Sequence, residues 1–502
     1  MYIKKRLSIL RIRLTTSSFL GLLSSFAFGA ITPDLVVSRV SGPAPLAVHF
    51  DASGTKTDDP SVNTFGDLGY RFNFGDPASG TWAYSGKPKN EQIGGPIAAH
   101  VYATPGTYTA TVDVGSIDGQ RESKSIQITV LSPGDVYAGT KTVCIAMTSA
   151  DSGCPTGAIK RLAPTSWGTF ASGTRYLLAA SQDFTLLGNL SVSCSDCMVS
   201  AYGDGAKPIV KKITYAPRPA LPPARNAVIQ NLGIGSLSVQ FGENFLASGN
   251  DISSKDNTTA VVFVGDTVTY YFKNPGSFDP TKIAWPKNIF ISENKLDGLL
   301  IASGGIYALA NQIAIMGNLV QNPKTHDIRI PMGHKAFVAH NQLNNLPTAT
   351  FHQIKFHAQG IQPWVSDFVF DAVTPASSMS VVSSNIIGDG LGDINYWQIS
   401  VGPQNAQSIE GHQNTIVEDN EFIQNSAAPN SQQQIVITGT QVYERGNRFK
   451  NIPQKIDVGT VGESALNPPE WKSPVFTGGK SVSDWLGAGQ SSPPAAVNLQ
   501  VQ

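Results

Sequence analysis

The stretch Ile289-Phe-Ile-Ser-Glu-Asn294-Lys-Leu296 carries the pattern that decides the fold: an apolar strand, an Asn, one spacer and a further apolar residue. A similar pattern recurs around other asparagines along the chain, which are Asn250, Asn318, Asn341, Asn385, Asn420 and Asn447. Asn318 follows Asn294 by 24 residues, and Asn341 follows after another 23. Two other steps in the series are 44 residues each, or two turns of 22 with one Asn missing. The chain therefore contains an internal repeat of a little over twenty residues.

A repeat of this length with short strands is typical of a leucine-rich repeat or of a parallel β-helix. The regular Leu frame of the first class is absent from the sequence. Stacking explains an Asn at one fixed turn position, because its amide can bond to the Asn of the next coil and because Asn tolerates left-handed backbone. We therefore expect these asparagines to form a structural ladder and not a ligand site.

Residues 175–455 resemble the pectin-lyase-like superfamily of right-handed parallel β-helices. The segment Ala201-Tyr-Gly-Asp-Gly-Ala-Lys-Pro-Ile-Val210 is similar to the entry coils of that superfamily. The resemblance implies a solenoid in which each coil packs on its neighbours, so that a long chain needs no single compact core. Because it rests on the pattern of the coils, the resemblance specifies the fold far better than an activity.

An N-terminal unit over residues 31–132 has short alternating strands separated by turn residues, which is typical of an immunoglobulin-like β-sandwich. Its segment Tyr70-Arg-Phe-Asn-Phe-Gly-Asp76 resembles the first motif of the PKD domain family, with Phe72 in place of the usual Trp. The segment from His100 to Val112 matches the second motif of that family closely. The resemblance implies a spacer or a module that contacts carbohydrate or protein, and it gives Asp76 and His100 structural roles.

The composition fits an all-β protein made of this sandwich and a solenoid. The 502 residues exceed the roughly 250–300 at which one compact core stops growing. Charged residues make up 14% of the chain, below the average of about 25%. The 48 Gly and 32 Pro indicate many turns. The formal net charge of zero argues against nucleic acid as a partner.

Residues 1–29 have the pattern of a signal peptide. Five Lys and Arg residues precede the apolar stretch Phe19–Phe28, and Ala27 and Gly29 supply small residues for cleavage. The apolar stretch is shorter than the roughly 20 residues of a membrane span, and no later segment is apolar for long enough. We expect export from a bacterium to the periplasm, the cell surface or the medium.

The chain has four cysteines, which are Cys144, Cys154, Cys194 and Cys197. In an oxidising compartment an even number predicts disulfides, most simply between the first two and between the last two, although the sequence leaves the connectivity open. We expect residues 133–174 to link the sandwich to the solenoid and to cap its first coil. The insertion Pro77–Pro96 carries no recognisable motif, and residues 456–502 form a C-terminal extension.

Arg329 and Lys355 are the centre of the candidate site. Alternate residues of a strand face outward, so the apolar residues of 327–330 and 353–357 should face the core and leave these two cations outside. They are 26 residues apart, close to one coil, and we expect them to be neighbours. The residues expected to join them by assisting catalysis are His334, His352 and His357, and those expected to bind substrate are Asp327, Gln353, Asp367, Tyr396 and Gln398.

Two adjacent cations on such a wall suit an acidic polysaccharide of the extracellular space or the cell wall. Elimination at a uronate requires neutralisation of its carboxylate, removal of the C5 proton and protonation of the leaving oxygen. We predict Lys355 as the base, because a neighbouring cation lowers the pKa of a Lys, and Arg329 as the carboxylate partner. The arrangement is similar to that of β-helix polysaccharide lyases with a Lys/Arg pair. No cofactor is required by this chemistry, and calcium is left open.

Two other functions stay open from the sequence. Single exposed Lys and Arg residues are usually solvated or paired, so the repeats could instead present the binding face of a non-catalytic surface adhesin or matrix protein. Asp389 and Asp393 offer the carboxylate pair of a glycosidase, which would release saturated sugars. Gly and Asp together are also ordinary turn residues, which is the simpler interpretation of that segment.

Overall fold

A computed structural model describes residues 30–148, 152–162, 165–217, 222–254, 260–265, 286–299, 301–302, 304–344, 352–356, 378–388, 398–401, 413–423, 435–437, 440–450, 456–458, 475–479, 482 and 486. The expected signal peptide, residues 1–29, lies outside these ranges. The regular secondary structure of the described chain is almost all β-strand, with a short α-helix at Pro133–Val136 and 3-10 turns at Pro77–Ser79, Gly139–Lys141 and Thr185–Leu187.

The N-terminal domain is the expected β-sandwich. One sheet has the strand order Ser41–Pro43, Arg121–Leu131, Gly106–Gly115, Gly69–Asn73, Glu91–Gly94. The facing sheet has the order Val36–Val37, Leu46–Asp51, Ile97–Tyr102, and a separate pair joins Ile31–Thr32 to Lys56–Thr57. Phe50 and Phe72 lie between the sheets, because alternate residues of their strands face inward. His100 and Asp76 are buried and hydrogen-bonded at 3.1 Å, which agrees with their predicted structural roles.

The rest of the chain coils through three walls of parallel strands. In each repeat, the strand of the first wall comes just before the ladder Asn in the sequence. The strands of this wall are Thr142–Ala146, Arg175–Ala179, Cys197–Tyr202, Arg225–Gln230, Glu243–Ser248, Lys287–Ser292, Phe337–Ala339, Ser378–Ser383, Gln413–Glu418, Thr440–Arg445 and Val475–Gly479. The second wall follows the Asn and contains Ile209–Val210, Gly233–Ile234, Asp251–Ser253, Lys295–Asp297, Leu319–Gln321, Gln342–Asn344, Ile386–Ile387, Glu421–Ile423 and Arg448–Lys450.

The third wall closes each coil and contains Leu190–Val192, Ile213–Tyr215, Leu237–Val239, Ala260–Val264, His326–His334, Ile354–Phe356, Ile399–Val401, Ile435–Ile437 and Ile456–Val458. Strand Gly304–Met316 bends from the third wall into the first. Ile159–Leu162 pairs with Thr142–Ala146 at the N-terminal edge. Parallel strands already pair from Thr142 and continue to Gly479, so the coil extends into both segments expected to flank it at 133–174 and 456–502.

The predicted Asn ladder is confirmed, but the division of its 44-residue steps into two turns is wrong. Asn250 bonds directly to Asn294 and Asn341 to Asn385, so each of these steps is one long coil. Asn318 illustrates the ladder: its backbone N–H and its Nδ2 both donate to Asn341 Oδ1 at 2.9 Å, and Nδ2 also donates to the Ile291 carbonyl of the preceding coil at 2.8 Å. The same bonds link each ladder residue to the next through Asn250, Asn294, Asn318, Asn341, Asn385, Asn420 and Asn447. Buried amides that are satisfied in this way fix the register of the coils.

The backbone explanation for the ladder is wrong in one respect. Left-handed backbone lies one residue before the ladder Asn, at Glu293, His340 and Asp419 for example, with φ of 56°, 59° and 52°. Tolerance of positive φ by Asn therefore does not account for the repeat. What does account for it is the side-chain amide, which donates and accepts at once between coils.

Both predicted disulfides are formed. Cys144 pairs with Cys154 near the first coil, and Cys194 pairs with Cys197 at the entry to strand Cys197–Tyr202. No free cysteine occurs in the described chain. The two bridges fix the N-terminal coils, where the solenoid lacks a preceding coil to pack on.

The β-sandwich is packed along the first wall and is not a detached spacer. Outward residues on successive strands of this wall are apolar and buried, and they form one column: Leu246, Phe290, Ala314, Phe337, Val381, Ile416 and Tyr443. Phe65, Trp82 and Ile97 of the sandwich pack against this column. Because the wall buries apolar side chains on both faces, the two domains share a continuous interface.

Polar groups of both domains are paired across this interface. Gly95 N–H donates to Glu418 at 2.8 Å, and Glu418 pairs with Arg445 at 2.9 Å. The Arg445 guanidinium also donates to the Gly66 carbonyl at 2.7 Å. The insertion Pro77–Pro96, which carries no recognisable motif, supplies much of the contact. Its physical role is to bring Trp82 and Gly95 onto the first wall.

Candidate functional site

Five outward side chains form one column on the third wall, here called the site column. Parallel pairing places them on successive strands in the order Phe263, Tyr307, Arg329, Lys355 and Ser400. Neighbouring strands of a sheet are about 4.8 Å apart, so each side chain adjoins the next. Arg329 and Lys355 are therefore direct neighbours. The flanking Ile328, Ile330, Ile354 and Phe356 are buried in the core, which leaves the cations on the outer face.

An aromatic stack precedes the cations in the site column. The rings of Phe263 and Tyr307 have centroids 4.6 Å apart and are tilted by 32°. The guanidinium carbon of Arg329 lies 5.4 Å from the Tyr307 ring centroid, on the side towards the next coil. A guanidinium over an aromatic face is attracted by the ring quadrupole. The stack therefore holds Arg329 from one side while Lys355 adjoins it on the other.

Burial and like charge act together on the two cations. Burial, and to a smaller extent the charge of Arg329, lower the pKa of Lys355 to about 8. Burial also lowers the pKa of Arg329, and its interaction with Tyr307 acts in the opposite direction. In the part of the chain that the structure describes, no carboxylate pairs with Lys355. A fraction of its amine is therefore neutral, and able to accept a proton, near neutral pH.

Two histidines border the site column. His326 begins strand His326–His334, His352 lies two residues before strand Ile354–Phe356, and their ring centroids are 5.6 Å apart. Both are buried. Burial, followed by the charges of Arg329, His352 and Lys355, lowers the pKa of His326 well below its usual value. His326 is therefore a neutral imidazole at physiological pH, within electrostatic reach of both cations.

Asp327 and Gln353 do not face outward as expected; they lie inside the corner between the second and third walls. Asp327 is fully buried, neither carboxyl oxygen has a partner in the described chain, and burial raises its pKa well above the usual value. Gly305 lies opposite Asp327 on the neighbouring strand, and a Cβ on Gly305 would meet the core residue Val320 at 2.4 Å. This position of the strand therefore faces the core. The chain bends at this corner, so the strict alternation of a straight strand does not apply.

Gln353 and Gln398 bridge the chain at the same corner. Gln353 donates to the Gly388 carbonyl at 2.8 Å and Gln398 donates to the same oxygen at 3.2 Å. Their amides therefore tie one coil to the next, and the substrate contacts expected of them stay a prediction. The carbonyl they satisfy explains their Nε2 donors, whereas the buried Gln398 Oε1 has no partner in the described chain.

His334 is separated from the cations. It lies at the last position of strand His326–His334, opposite Ser378, where the third wall turns into the first. Four residues of the strand lie between it and Arg329. The remaining predicted site residues lie outside the described residues: His357, Asp367, Tyr396, Asp389 and Asp393.

The sequence did not predict that Phe263, Tyr307 and His326 belong to the site. Tyr307 is 22 residues before Arg329, one coil earlier, so the repeat length alone could have placed it in the site column. Phe263 is 44 residues before Tyr307 and yet only one strand away, because a long insertion separates their coils. Fixed spacing cannot detect a neighbour across an insertion of unknown length.

The described chain offers no metal site and no membrane helix. Within the ranges given above, no group of three or more His, Cys, Asp or Glu could hold a metal ion. No helix of the described ranges is long and apolar enough to cross a membrane.

Residues 34–130 match the family model of the PKD domain. No curated protein matches the chain. A structure of carbohydrate-binding modules from the β-sandwich superfamily is 24% identical over 21% of this chain and 35% of that chain, with a TM-score of 0.16. The aligned region thus spans about a third of that structure.

Two solved enzymes are similar over more of the chain. The family 28 exopolygalacturonase of Yersinia enterocolitica is 11% identical over 89% of this chain and 84% of that chain, with a TM-score of 0.40. The GH136 lacto-N-biosidase of Eubacterium ramulus is 10% identical over 68% of this chain and 67% of that chain, with a TM-score of 0.37. The activities in these names are those of the other proteins. From its own strand pairing and its domain match, the chain consists of a PKD domain followed by a parallel β-helix.

Proposed function

We propose that the protein acts on an acidic polysaccharide outside the cell and eliminates at a uronate unit, with Arg329 and Lys355 as the reacting pair. The observation that carries the proposal is their direct pairing on the outer face of the third wall, with a lowered pKa at Lys355. A candidate signal peptide and two disulfides support an oxidising, exported location.

Arg329 neutralises the uronate carboxylate in this proposal. A guanidinium offers two parallel N–H donors that match the two carboxylate oxygens. Pairing with a cation withdraws charge from the carboxylate, which makes the adjacent C5–H bond more acidic. The Tyr307 ring supports this role because it restricts the guanidinium to one side of the site column.

Lys355 removes the C5 proton. Its lowered pKa supports this role, because a base works best when its pKa lies near the operating pH. The C5–H electrons form the C4–C5 double bond, the C4–O bond breaks, and the leaving oxygen takes a proton. Of the three assisting histidines predicted from the sequence, His352 is the one that borders the described cations. His357, Asp367 and Tyr396 remain proposed contacts.

Product analysis tests this function. Polyuronates and mixed acidic polymers are incubated with the protein, and the unsaturated uronate product is followed by its ultraviolet absorbance. We expect absorbance on at least one polymer, its loss in Lys355→Ala, and its retention in Lys295→Ala, an exposed lysine of the second wall. Parallel reactions with calcium and with a chelator establish whether calcium is needed.

The same experiment separates the other functions. Saturated products would contradict elimination and support hydrolysis by Asp389 and Asp393. Polymer binding without any product, weakened but not abolished by Lys355→Ala, would contradict catalysis and support a non-catalytic adhesin.

A further inference from the structure

We propose that Tyr307 is a positioning residue of the site, whose ring holds the Arg329 guanidinium on the site column and directs it at Lys355. The inference deepens the proposed function and rests on it. Four successive strands of the site column carry two aromatic rings, a guanidinium and an ammonium group in that order. The two rings were not part of the site expected from the sequence.

The Tyr307 ring is itself fixed. Only 6% of Tyr307 is exposed, and Phe263 packs against the ring from the preceding strand. The face towards the next coil then receives the Arg329 guanidinium at 5.4 Å. An Arg side chain loses about 2 kcal/mol of rotamer entropy when it is immobilised, so a rigid ring beside it makes one orientation persistent.

The orientation of Arg329 has an electrostatic consequence. Its charge is one of the two causes that lower the pKa of Lys355, and it also lowers the pKa of His326. The other groups named near Lys355 are His352, just before its strand, the neutral His326, and the uncharged Ser400 on the next strand. Arg329 is therefore the charged group through which the Tyr307 ring can act on Lys355.

Conservative variants distinguish positioning from packing. Tyr307→Phe keeps the ring face, whereas Tyr307→Leu and Tyr307→Met fill the position with apolar atoms that carry no ring. If Tyr307 only packs, the three variants should leave the titration of Lys355 alike. If it positions Arg329, the ring-less variants release the guanidinium and the pKa of Lys355 rises towards its usual value.

The experiment needs no substrate. Lysines are ¹³C-methylated, each variant is titrated by NMR, and the Lys355 signal is assigned by its absence in Lys355→Arg. We expect the Lys355 midpoint of Tyr307→Phe to match the wild type. We expect those of Tyr307→Leu, Tyr307→Met and Arg329→Gln to rise by about half a pH unit or more. Near-ultraviolet circular dichroism verifies that each variant is folded. If Tyr307→Leu does not fold, Tyr307→Met provides the ring-less variant.

An unchanged Lys355 midpoint in a folded ring-less variant would overturn the inference. A rise in Arg329→Gln without a rise in the ring-less variants would overturn it too, because Arg329 would then keep its place without the ring. The failure of the proposed function looks different: the midpoints shift as expected, but no acidic polymer gives an unsaturated product. When product does form, the alkaline shift of the pH–rate profile in Tyr307→Leu should follow the NMR shift.

Discussion

Trp82 of the PKD domain lies flat on His340 of the β-helix, with 4.9 Å between the ring centroids and 10° between the planes. Both nitrogens of His340 are hydrogen-bonded to the same insertion, through Ser85 and Gln92. Gly317 lies beneath the indole, where a Cβ would approach Trp82 to 2.5 Å. Such close complementarity indicates that the two domains form one structural unit and not two modules on a linker.

Gly66→Ala tests this docking. A Cβ at Gly66 would lie 1.9 Å from the Tyr443 ring of the first wall, so the domains must move apart. Overpacking of this kind costs about 1–3 kcal/mol, and we expect the free energy of unfolding to fall by that amount in urea titrations. Gly106→Ala is the matched control, because its Cβ meets only ordinary contacts at 3.4 Å. Equal stability of the two variants would contradict the docked arrangement.

Asn318→Ala tests the ladder. The substitution removes the acceptor of the Asn294 N–H and Nδ2 groups and a donor to the Ile291 carbonyl, all in a buried layer. Each such buried group costs about 1–3 kcal/mol, so a loss of about 3 kcal/mol or more in the free energy of unfolding is expected. Asn447→Ala, at the half-buried last position of the ladder, should lose less. Chemical denaturation measures both, and the reverse order would refute the cooperative ladder.

His49→Gln tests a pH dependence of the domain interface. His49 donates to the Lys335 carbonyl across the interface at 2.9 Å, with Asp51 and the Lys335 ammonium nearby. Burial lowers the pKa of His49 to about 4. Between pH 6.5 and 4 the unfolded chain gains a proton that the folded chain does not, so the free energy of unfolding falls as the pH is lowered.

The size of this acid effect follows from the same shift. For the fully buried His49, the free energy of unfolding should fall by about 3 kcal/mol between pH 7 and pH 4. His49→Gln keeps an N–H donor for the Lys335 carbonyl but does not titrate, so its loss of stability over this range should be smaller than that of the wild type by about that amount. Urea titrations at several pH values measure the difference. Parallel pH curves for the two proteins would exclude His49 as the cause.

The repeat and the PKD motifs are local signals, and this is why the sequence predicts the architecture. Each ladder Asn, such as Asn318, bonds to residues one coil away, so its spacing records the coil length directly. Asp76 and His100 lie in short motifs whose strands fix their contact. The neighbourhood of Arg329 and Lys355 follows from the same spacing, because no long insertion separates their strands.

The predictions that were wrong depend on contacts between residues that lie far apart in the sequence. Outward apolar residues such as Phe290 are buried only because another domain covers them, and a repeat pattern carries no information about that cover. A continuous apolar strand is nevertheless typical of a wall buried on both faces. Asp327 was misplaced because a corner interrupts the alternation of its strand. The sequence thus predicts where the site around the cations lies, but not all of the residues that form it.

The pH dependence of uronate elimination by the wild type and by Lys355→Ala tests the central claim most directly. The initial rate of unsaturated product formation is measured from pH 5 to 10 on the best acidic polymer. With Lys355 as the base, the wild-type rate should rise with pH and level off above about pH 8, where the amine is neutral, and Lys355→Ala should form no product. Product formation by folded Lys355→Ala with an unchanged pH profile would contradict the account.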